Sequence, residues 1–328
     1  MSAPTWSSRP TDVDVAICAY TEDRWDDLER GLGALTRQTL PPRRIILVID
    51  HNPALQVRVA DAFPQAEVVA NPRSAGASGA RNAAVELASA EIVAFLDDDA
   101  EPAETWLEQL LGAYDSDVVA VGGAAVPRWP DRRPRHLAPE LDWIVGCSYR
   151  GQPAERTDVR NLWGCNMSVR RTAFLAVGGF DETAGRVGTV PMGAEETELC
   201  VRLTRHATGS RIVYEPSAVV RHRVTEARTT WRYLRSRSLA EGLSKAAMAR
   251  RTGAAEATSV ERDYVRRILT GALRRDLLRG LRGDVAGWSS ALGVVTSLGL
   301  AVWGYVRGRL RLGTGGVGRE AERLRGAA

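Results

Sequence analysis

Residues Glu91–Glu101 read E-I-V-A-F-L-D-D-D-A-E, and the reading of this stretch decides the fold class. Ile92, Val93, Ala94, Phe95 and Leu96 form an unbroken apolar run, as a strand buried on both faces of a parallel sheet requires. Asp97, Asp98 and Asp99 follow directly. Three carboxylates at the carboxyl end of a buried strand repel one another and need a compensating cation. A hard divalent ion with oxygen ligands, Mg2+ or Mn2+, meets that need, usually shared with a substrate diphosphate. Ligands of open α/β sheets bind at this end of the strands. The rival reading is an acidic turn capping a helix over Pro102–Leu111, and the triplet alone does not choose between the two.

Upstream of this stretch, strands and helices alternate. Val13–Ala19 (V-D-V-A-I-C-A) predicts a first strand, with Tyr20–Asp23 as its turn. Leu28, Leu32 and Leu35 lie at helical spacing within Asp26–Thr39, which Pro41 and Pro42 end. Arg44–Ile49 is a second buried strand ending at Asp50; Pro53–Phe63 is a helix, and Glu67–Ala70 a short strand. Asn71–Arg81 (N-P-R-S-A-G-A-S-G-A-R) reads as a Gly/Ser/Ala loop before a helix over Asn82–Ser89. It is neither a P-loop nor G-x-G-x-x-G. It can still bring backbone close to a ligand, with Arg81 pairing a phosphate or carboxylate; the alternative is an ordinary loop with a solvated arginine. The alternation predicts a doubly wound parallel sheet with right-handed crossovers.

Downstream, Asp117–Val126 is a further strand, Pro127–Pro139 a Pro- and Arg-rich mobile loop, and Gly185–Gly193 a glycine-rich flexible one. Ala194–Leu203 (A-E-E-T-E-L-C-V-R-L) predicts a helix with its glutamates in the first turn, where the dipole favours them. Arg211–Val220 is the last strand of the body, with His222 just beyond. A lone histidine there is more often structural than a ligand.

The 328 residues suffice for one large α/β domain plus an appendage. Charge is uneven: from Arg221 onward there are 22 basic and 9 acidic residues, a net +13, against −9 for the rest. A basic tail suits an anionic partner, either a membrane surface or a nucleic acid. Cys18, Cys147, Cys165 and Cys200 show no C-x-x-C spacing, which argues against a zinc or redox motif and for a reducing cytosol. The N-terminus has no apolar signal-peptide region. Thr229–Ala249 is a basic helix with Trp231, Tyr233 and Leu234, of the kind that lies on anionic membranes. Val285–Val306 is uncharged, flanked by Arg279, Arg282, Arg307 and Arg309, and approaches the ~20 residues that span a bilayer. Trp288, Trp303 and Tyr305 sit near its ends. A single span, an interfacial hairpin and a packed soluble helix all stay open, and membrane contact is the expectation.

Taken in order, these stretches resemble family 2 glycosyltransferases with the GT-A fold, over about Val13–Lys245. The resemblance is carried by V-A-I-C-A-Y-T at the first strand, V-I-D at Val48–Asp50, N-P-R-S-A-G-A-S-G-A-R-N at Asn71–Asn82, F-L-D-D-D at Phe95–Asp99, G-C-N-M-S-V-R-R at Gly164–Arg171, V-G-G-F-D-E at Val177–Glu182 and E-E-T-E-L at Glu195–Leu199. It implies a Rossmann-like, mostly parallel sheet flanked by helices. The catalytic domain would be residues 11–225, with its nucleotide-sugar half ending near 126, followed by a helical region at 226–328 that holds the candidate membrane segment 285–306. It further implies that Ala19, Tyr20, Thr21, Asp50, Arg81, Asp97 and Asp98 bind the nucleotide-sugar. Trp163, Gly164 and Asn166 would line the sugar and acceptor pocket. Asp97, Asp99 and His222 would hold Mn2+ or Mg2+. The family's base usually lies in a Glu-Asp pair; here the pair is Glu195-Glu196, so Glu196 takes the aspartate's place. The implied reaction is an inverting displacement from a nucleotide-diphospho-sugar, UDP-linked, onto a hydroxyl of a glycan or lipid-linked acceptor, at the cytoplasmic face of the cell membrane. Two rivals stand beside it. A sugar nucleotidyltransferase would need a Gly-rich basic phosphate loop, which Ala19–Arg24 does not supply. A non-catalytic protein binding nucleic acid through its basic tail would need recognition patterns that the sequence lacks.

Overall fold

The computed structural model describes residues 6–182, 195–206, 209–252 and 264–311. The chain forms two compact units: Met1–Val126, Pro153–Gly185 and Glu195–Arg223 make the first, and Pro127–Gln152, Arg186–Ala194 and Val224–Ala328 the second.

The first unit is built on a nine-stranded sheet. Its centre is β1 (Val13–Ala19), paired in parallel with β2 (Arg44–Ile49) and β4 (Ile92–Asp97), while β3 (Glu67–Ala70) runs parallel beside β2. These central strands are apolar at almost every position because helices cover both faces. On one face α1 (Trp25–Leu35), α2 (Pro53–Ala62) and α4 (Trp106–Leu111) bury Leu32, Leu55 and Trp106 against Val15, Ile17 and Leu47. On the other, α3 (Ala77–Leu87), α5 (Arg171–Ala176) and α6 (Glu195–His206) bury Val85, Phe174 and Leu199 against Ala16, Ile46 and Phe95.

The remaining strands are β5 (Ala100–Pro102), β6 (Val118–Arg128), β7 (Thr157–Asp158), β8 (Asn166–Arg170) and β9 (Arg211–Arg223). The order is β3-β2-β1-β4-β8-β6-β9-β5, with β7 beside β9. The fully parallel expectation holds through β4 and ends there. β8 runs antiparallel to β4, β6 to β8, and both β5 and β7 to β9. Neighbours in this half lie far apart in sequence, so alternation along the chain carries no information on their direction.

Three local readings change. The residues after the aspartates form β5 on β9, and α4 starts only at Trp106, so the triplet leads into a strand and does not cap a helix at Pro102. The Asn71–Arg81 stretch is a loop only to Gly76, whose φ of 124° suits glycine; α3 begins at Ala77, and Arg81 is therefore a helical residue. His222 lies within β9, opposite Ala100. The expected loop over Gly185–Gly193 and the residue Ala194 fall outside the described residues.

The second unit is helical: α7 (Trp231–Thr252), a π-helical turn at Tyr264–Leu269, α8 (Thr270–Leu281) and α9 (Val285–Arg311). Residues 127–152 cluster with these helices, although Pro127 and Arg128 end β6 of the sheet. The supposed loop Pro127–Pro139 is packed, because Leu137 and Ala138 are buried with Leu141, Val145, Leu234 and Val294. Arg133 forms a two-pronged pair with Asp142, and His136 stacks on Trp231 at 4.5 Å.

Candidate active site

Parallel strands bring the carboxyl ends of β1, β2 and β4 to one edge of the sheet, and the site is assembled there. At the end of β4, burial would force the aspartates to protonate unless cations met them. The cations are present. Arg24, which ends the 3-10 turn Glu22–Arg24, pairs with Asp98 and reaches Asp99 Oδ2 at 3.1 Å. Arg81 Nη2 donates to Asp97 Oδ1 at 2.8 Å. His222 Nε2 lies 3.2 Å from Asp99 Oδ1, brought there by the β5–β9 ladder. Burial pushes Asp98 up to about 7, opposed by Arg24 and reinforced by Asp99. Burial by itself would lower Arg24 and Arg81; the facing carboxylates outweigh it and hold both guanidiniums charged.

Arg81 is the hinge of the arrangement. Buried on α3, it turns Nη2 to Asp97 and Nη1 to Glu196 Oε1, 3.6 Å away at the start of α6. Glu196 is pushed up to about 8, first by burial and next by Glu195, while Arg81 pulls it down. Gly164 completes this corner: a Cβ there would collide with Glu196 Oε1 and crowd Arg81 Nη1. The glycine expected to line a sugar pocket thus makes room for the carboxylate.

The nucleotide-binding expectations map to the same edge with additional structural duties. Asp50 Oδ1 accepts from Asn71 Nδ2 at 2.7 Å, and Oδ2 accepts from the Gly76 N–H at 2.8 Å, so this carboxylate fixes the loop leading into α3. His51 beside it holds φ 53°, a left-handed conformation uncommon for a non-glycine residue and frequent at functional sites. Ala19 is buried and offers backbone only; its carbonyl accepts from the Asp50 N–H. Tyr20 is exposed with the Arg24 guanidinium 5.2 Å from its ring centre, and Thr21 Oγ1 accepts from the Asp23 N–H. Glu182, from the V-G-G-F-D-E stretch, binds Arg73, Ser74 and Asn82, tying the 71–76 loop down from the other side.

Asn166, expected at the sugar and acceptor pocket, has a structural duty as well. It is fully buried, accepts from Trp106 Nε1 at 2.7 Å and donates to the carbonyls of Ala124 and Ala218 at 2.9 and 2.8 Å. Its amide is thus engaged by the scaffold. Trp163 is half-buried against the same core, and its carbonyl accepts from the Asn166 N–H.

Two residues escaped the sequence reading. Arg24 lies just past the turn read as Tyr20–Asp23, and its partners are more than seventy residues away. Cys165 was set aside for lack of a second cysteine nearby. In space its thiol, an Asp97 oxygen and a His222 nitrogen lie within 4.8 Å of one another, a donor set able to hold a metal ion. The buried Asp98 Oδ2 also has no hydrogen-bond partner among the described residues. The acids and imidazole therefore fit a divalent cation.

Comparison with known proteins agrees with this geometry. The family described as "Glycosyl transferase family 2" matches residues 14–178. A glucosyl-dolichyl phosphate glucuronosyltransferase of Haloferax volcanii is 36% identical over 72% of this chain and 77% of its own length. A pre-mycofactocin glycosyltransferase of Mycobacterium tuberculosis is 32% identical over 67% of this chain and 44% of its own length. Among solved structures, a mannosyltransferase from Pyrobaculum calidifontis, in complex with GDP-Man and Mn2+, superposes with a TM-score of 0.53 at 18% identity, covering 100% of this chain and 83% of that one. S. aureus TarS, in complex with UDP, superposes with a TM-score of 0.51 at 13% identity, covering 93% and 92%. The architecture is that of the GT-A-like transferases. The chain belongs to glycosyl transferase family 2.

Proposed function

We propose that this glycosyltransferase is an inverting, metal-assisted enzyme that takes its sugar from a UDP-linked donor and passes it to a hydroxyl of a lipid-linked acceptor in cell-envelope glycan or glycolipid synthesis. The observation that carries the reading is the double engagement of Arg81, 2.8 Å from Asp97 and 3.6 Å from Glu196. One guanidinium sets the distance between the carboxylates suited to a donor diphosphate and the carboxylate suited to deprotonate an acceptor.

The chain's groups divide the work. Asp97, Asp99, His222 and Cys165 would hold the cation, with Asp97 and Asp98 also on the nucleotide-sugar side. A bound divalent ion neutralises charge that develops on a leaving diphosphate. Arg81 and Arg24 add fixed positive charge at the same end. Glu196 accepts the acceptor's proton, and its raised proton affinity suits a base working near neutrality. No covalent enzyme intermediate is required. A lipid-linked acceptor is supported by the glucosyl-dolichyl phosphate named for the Haloferax relative. Contact with the membrane, placed at its cytoplasmic face in this reading, is supported, as contact only, by the apolar helix Val285–Leu310. The test is a panel of nucleotide-sugars incubated with the purified protein, Mn2+ and a polyprenyl-phosphate sugar, reading transferred product and released nucleotide. Transfer from a UDP-sugar is expected. Transfer only from a GDP- or dTDP-sugar would overturn the donor assignment.

A further inference from the structure

The polarity of α9 is inverted. Its outward residues Val285, Trp288, Leu292, Val295, Val302 and Val306 are 40–69% exposed and lie three, four or seven residues apart, so they share one face, with the exposed Gly299 in the longest gap. Its inward face is mostly small and hydroxyl residues, apart from Val294 and the half-buried Leu298, which pack in the apolar core of this unit. Ser297 hydrogen-bonds Ser238 of α7 at 2.9 Å, and Ser290 donates to Asp276 of α8. A Cβ on Gly304 would strike the Leu239 carbonyl of α7, and one on Gly242 of α7 would strike the Ala301 carbonyl of α9. A helix bathed in water keeps its apolar side inward. Close glycine packing inside with large aliphatics outside is the pattern of a helix that meets lipid.

We propose that α9 lies along the surface of an anionic bilayer, with its outward stripe in the acyl boundary, and does not cross it. The proposal rests on the membrane clause of the proposed function and adds the mode of attachment. The inner face of α9 decides the mode. It is occupied by α7, which carries Arg232, Arg235, Arg237, Glu241 and Lys245, and by α8 with the buried Asp276 between Arg275 and Ser290. A crossing would either strip α9 of these partners or carry their charges into hydrocarbon, where each is strongly disfavoured. Lying flat leaves the packing intact and puts only the stripe in lipid. Arg279, Arg282, Arg307 and Arg309 flank the uncharged 285–306 stretch and match an anionic headgroup layer. Trp288 and Trp303, both about half exposed, suit the headgroup boundary. Residues 253–263 and 312–328 contain four branched aliphatic residues in all, Val260, Leu312, Val317 and Leu324, too few to match such a stripe.

The experiment uses the full chain with phosphatidylcholine vesicles, with and without 30% phosphatidylglycerol as an order-of-magnitude surface charge. Flotation at low salt should be strong with the anionic vesicles, and alkaline carbonate should release the protein. The exposed-site pair Leu292→Glu plus Val295→Glu should weaken partitioning at least about tenfold while leaving the thermal midpoint unchanged; Leu292→Ser, a milder change, should weaken it about threefold. Absence of any flotation would sink the membrane clause together with this proposal. Flotation that resists carbonate, or that ignores both variants, would overturn the flat attachment and leave the membrane clause standing. A dimer in solution that the double variant converts to monomer, without vesicle binding, would reassign the stripe to a second copy of the chain.

Discussion

The two units break the ordinary rule of burial in opposite directions. The sheet unit carries charge inside, where Asp98, Asp99, Arg81 and His222 are buried at a strand end. The helical unit carries grease outside, on the α9 stripe. Leu32, Leu55 and Phe174 are inside and Arg43, Arg58 and Glu67 on the surface, as usual, while other buried charges such as Arg170 and Asp276 are ion-paired within their own unit. On the proposed function, an anionic, cation-bearing donor would complete the first cluster and a lipid surface the second.

Several changes would break or sharpen this contrast. Asp99→Ala takes away a carboxylate facing both Arg24 and His222, and should lower turnover on the order of 10³-fold while leaving the fold intact, because the strand-end position lies outside the apolar core. Calorimetry of UDP binding with and without Mn2+ should show the metal enhancement lost; undiminished enhancement would remove Asp99 from the metal set. Asn166→Ala should act on stability and not on the donor. It leaves Trp106 Nε1 and two carbonyls unpaired in the core, at a cost of about 3 kcal/mol. Denaturant unfolding alongside donor Kd checks this, and a large Kd change without destabilisation would return Asn166 to the pocket. Gly164→Ala should push the Glu196 carboxylate aside and slow turnover about 10²-fold. A crystal structure of that variant with Glu196 unmoved would refute the explanation.

A gentler perturbation is pH. Burial raises Glu196 to about 8 in the folded protein, above the ordinary 4.5 of a glutamate in the unfolded chain. Between those values the native state keeps a proton that the unfolded chain has released, so this group's contribution to stability is full below about 4.5 and lost as pH rises through about 8. Catalysis runs the other way, since a base must be deprotonated. The profile of kcat/KM should climb about tenfold per pH unit up to that value and then level off. Glu196→Gln should remove the slope and raise the thermal midpoint at pH 8.

Much of the sheet was legible in the sequence because its signals are local. The runs at Val13–Ala19, Arg44–Ile49 and Ile92–Leu96 are apolar at successive positions, and three of the four parallel strands follow from them directly. Asp97, Asp99 and Glu196 are named for a different reason: the aspartates stand in a triplet after a buried strand, and the resemblance to the family points to Glu196. What stayed hidden depends on partners remote in the chain. The antiparallel β8 hides in G-C-N-M-S-V-R-R, whose direction is set by Phe95 and Val121 on its neighbours. Arg24 looks like any surface arginine until α1 folds against the triplet. The helical start at Ala77 is masked by Ser and Gly of poor helix propensity, overridden by packing against β1 and β2. Asn166 looked like a ligand group because nothing in the sequence places Trp106 beside it.

On the proposed function, the corner held by Arg81 separates donor binding from proton removal, with Glu196 on the proton side. Turnover and donor Kd measured together for Glu196→Gln and Glu195→Gln test it most directly. The account predicts that Glu196→Gln loses roughly 10²–10⁴ in kcat with donor Kd unchanged, while Glu195→Gln stays within about tenfold of the parent. An inactive Glu195→Gln beside a Glu196→Gln that turns over normally would contradict it.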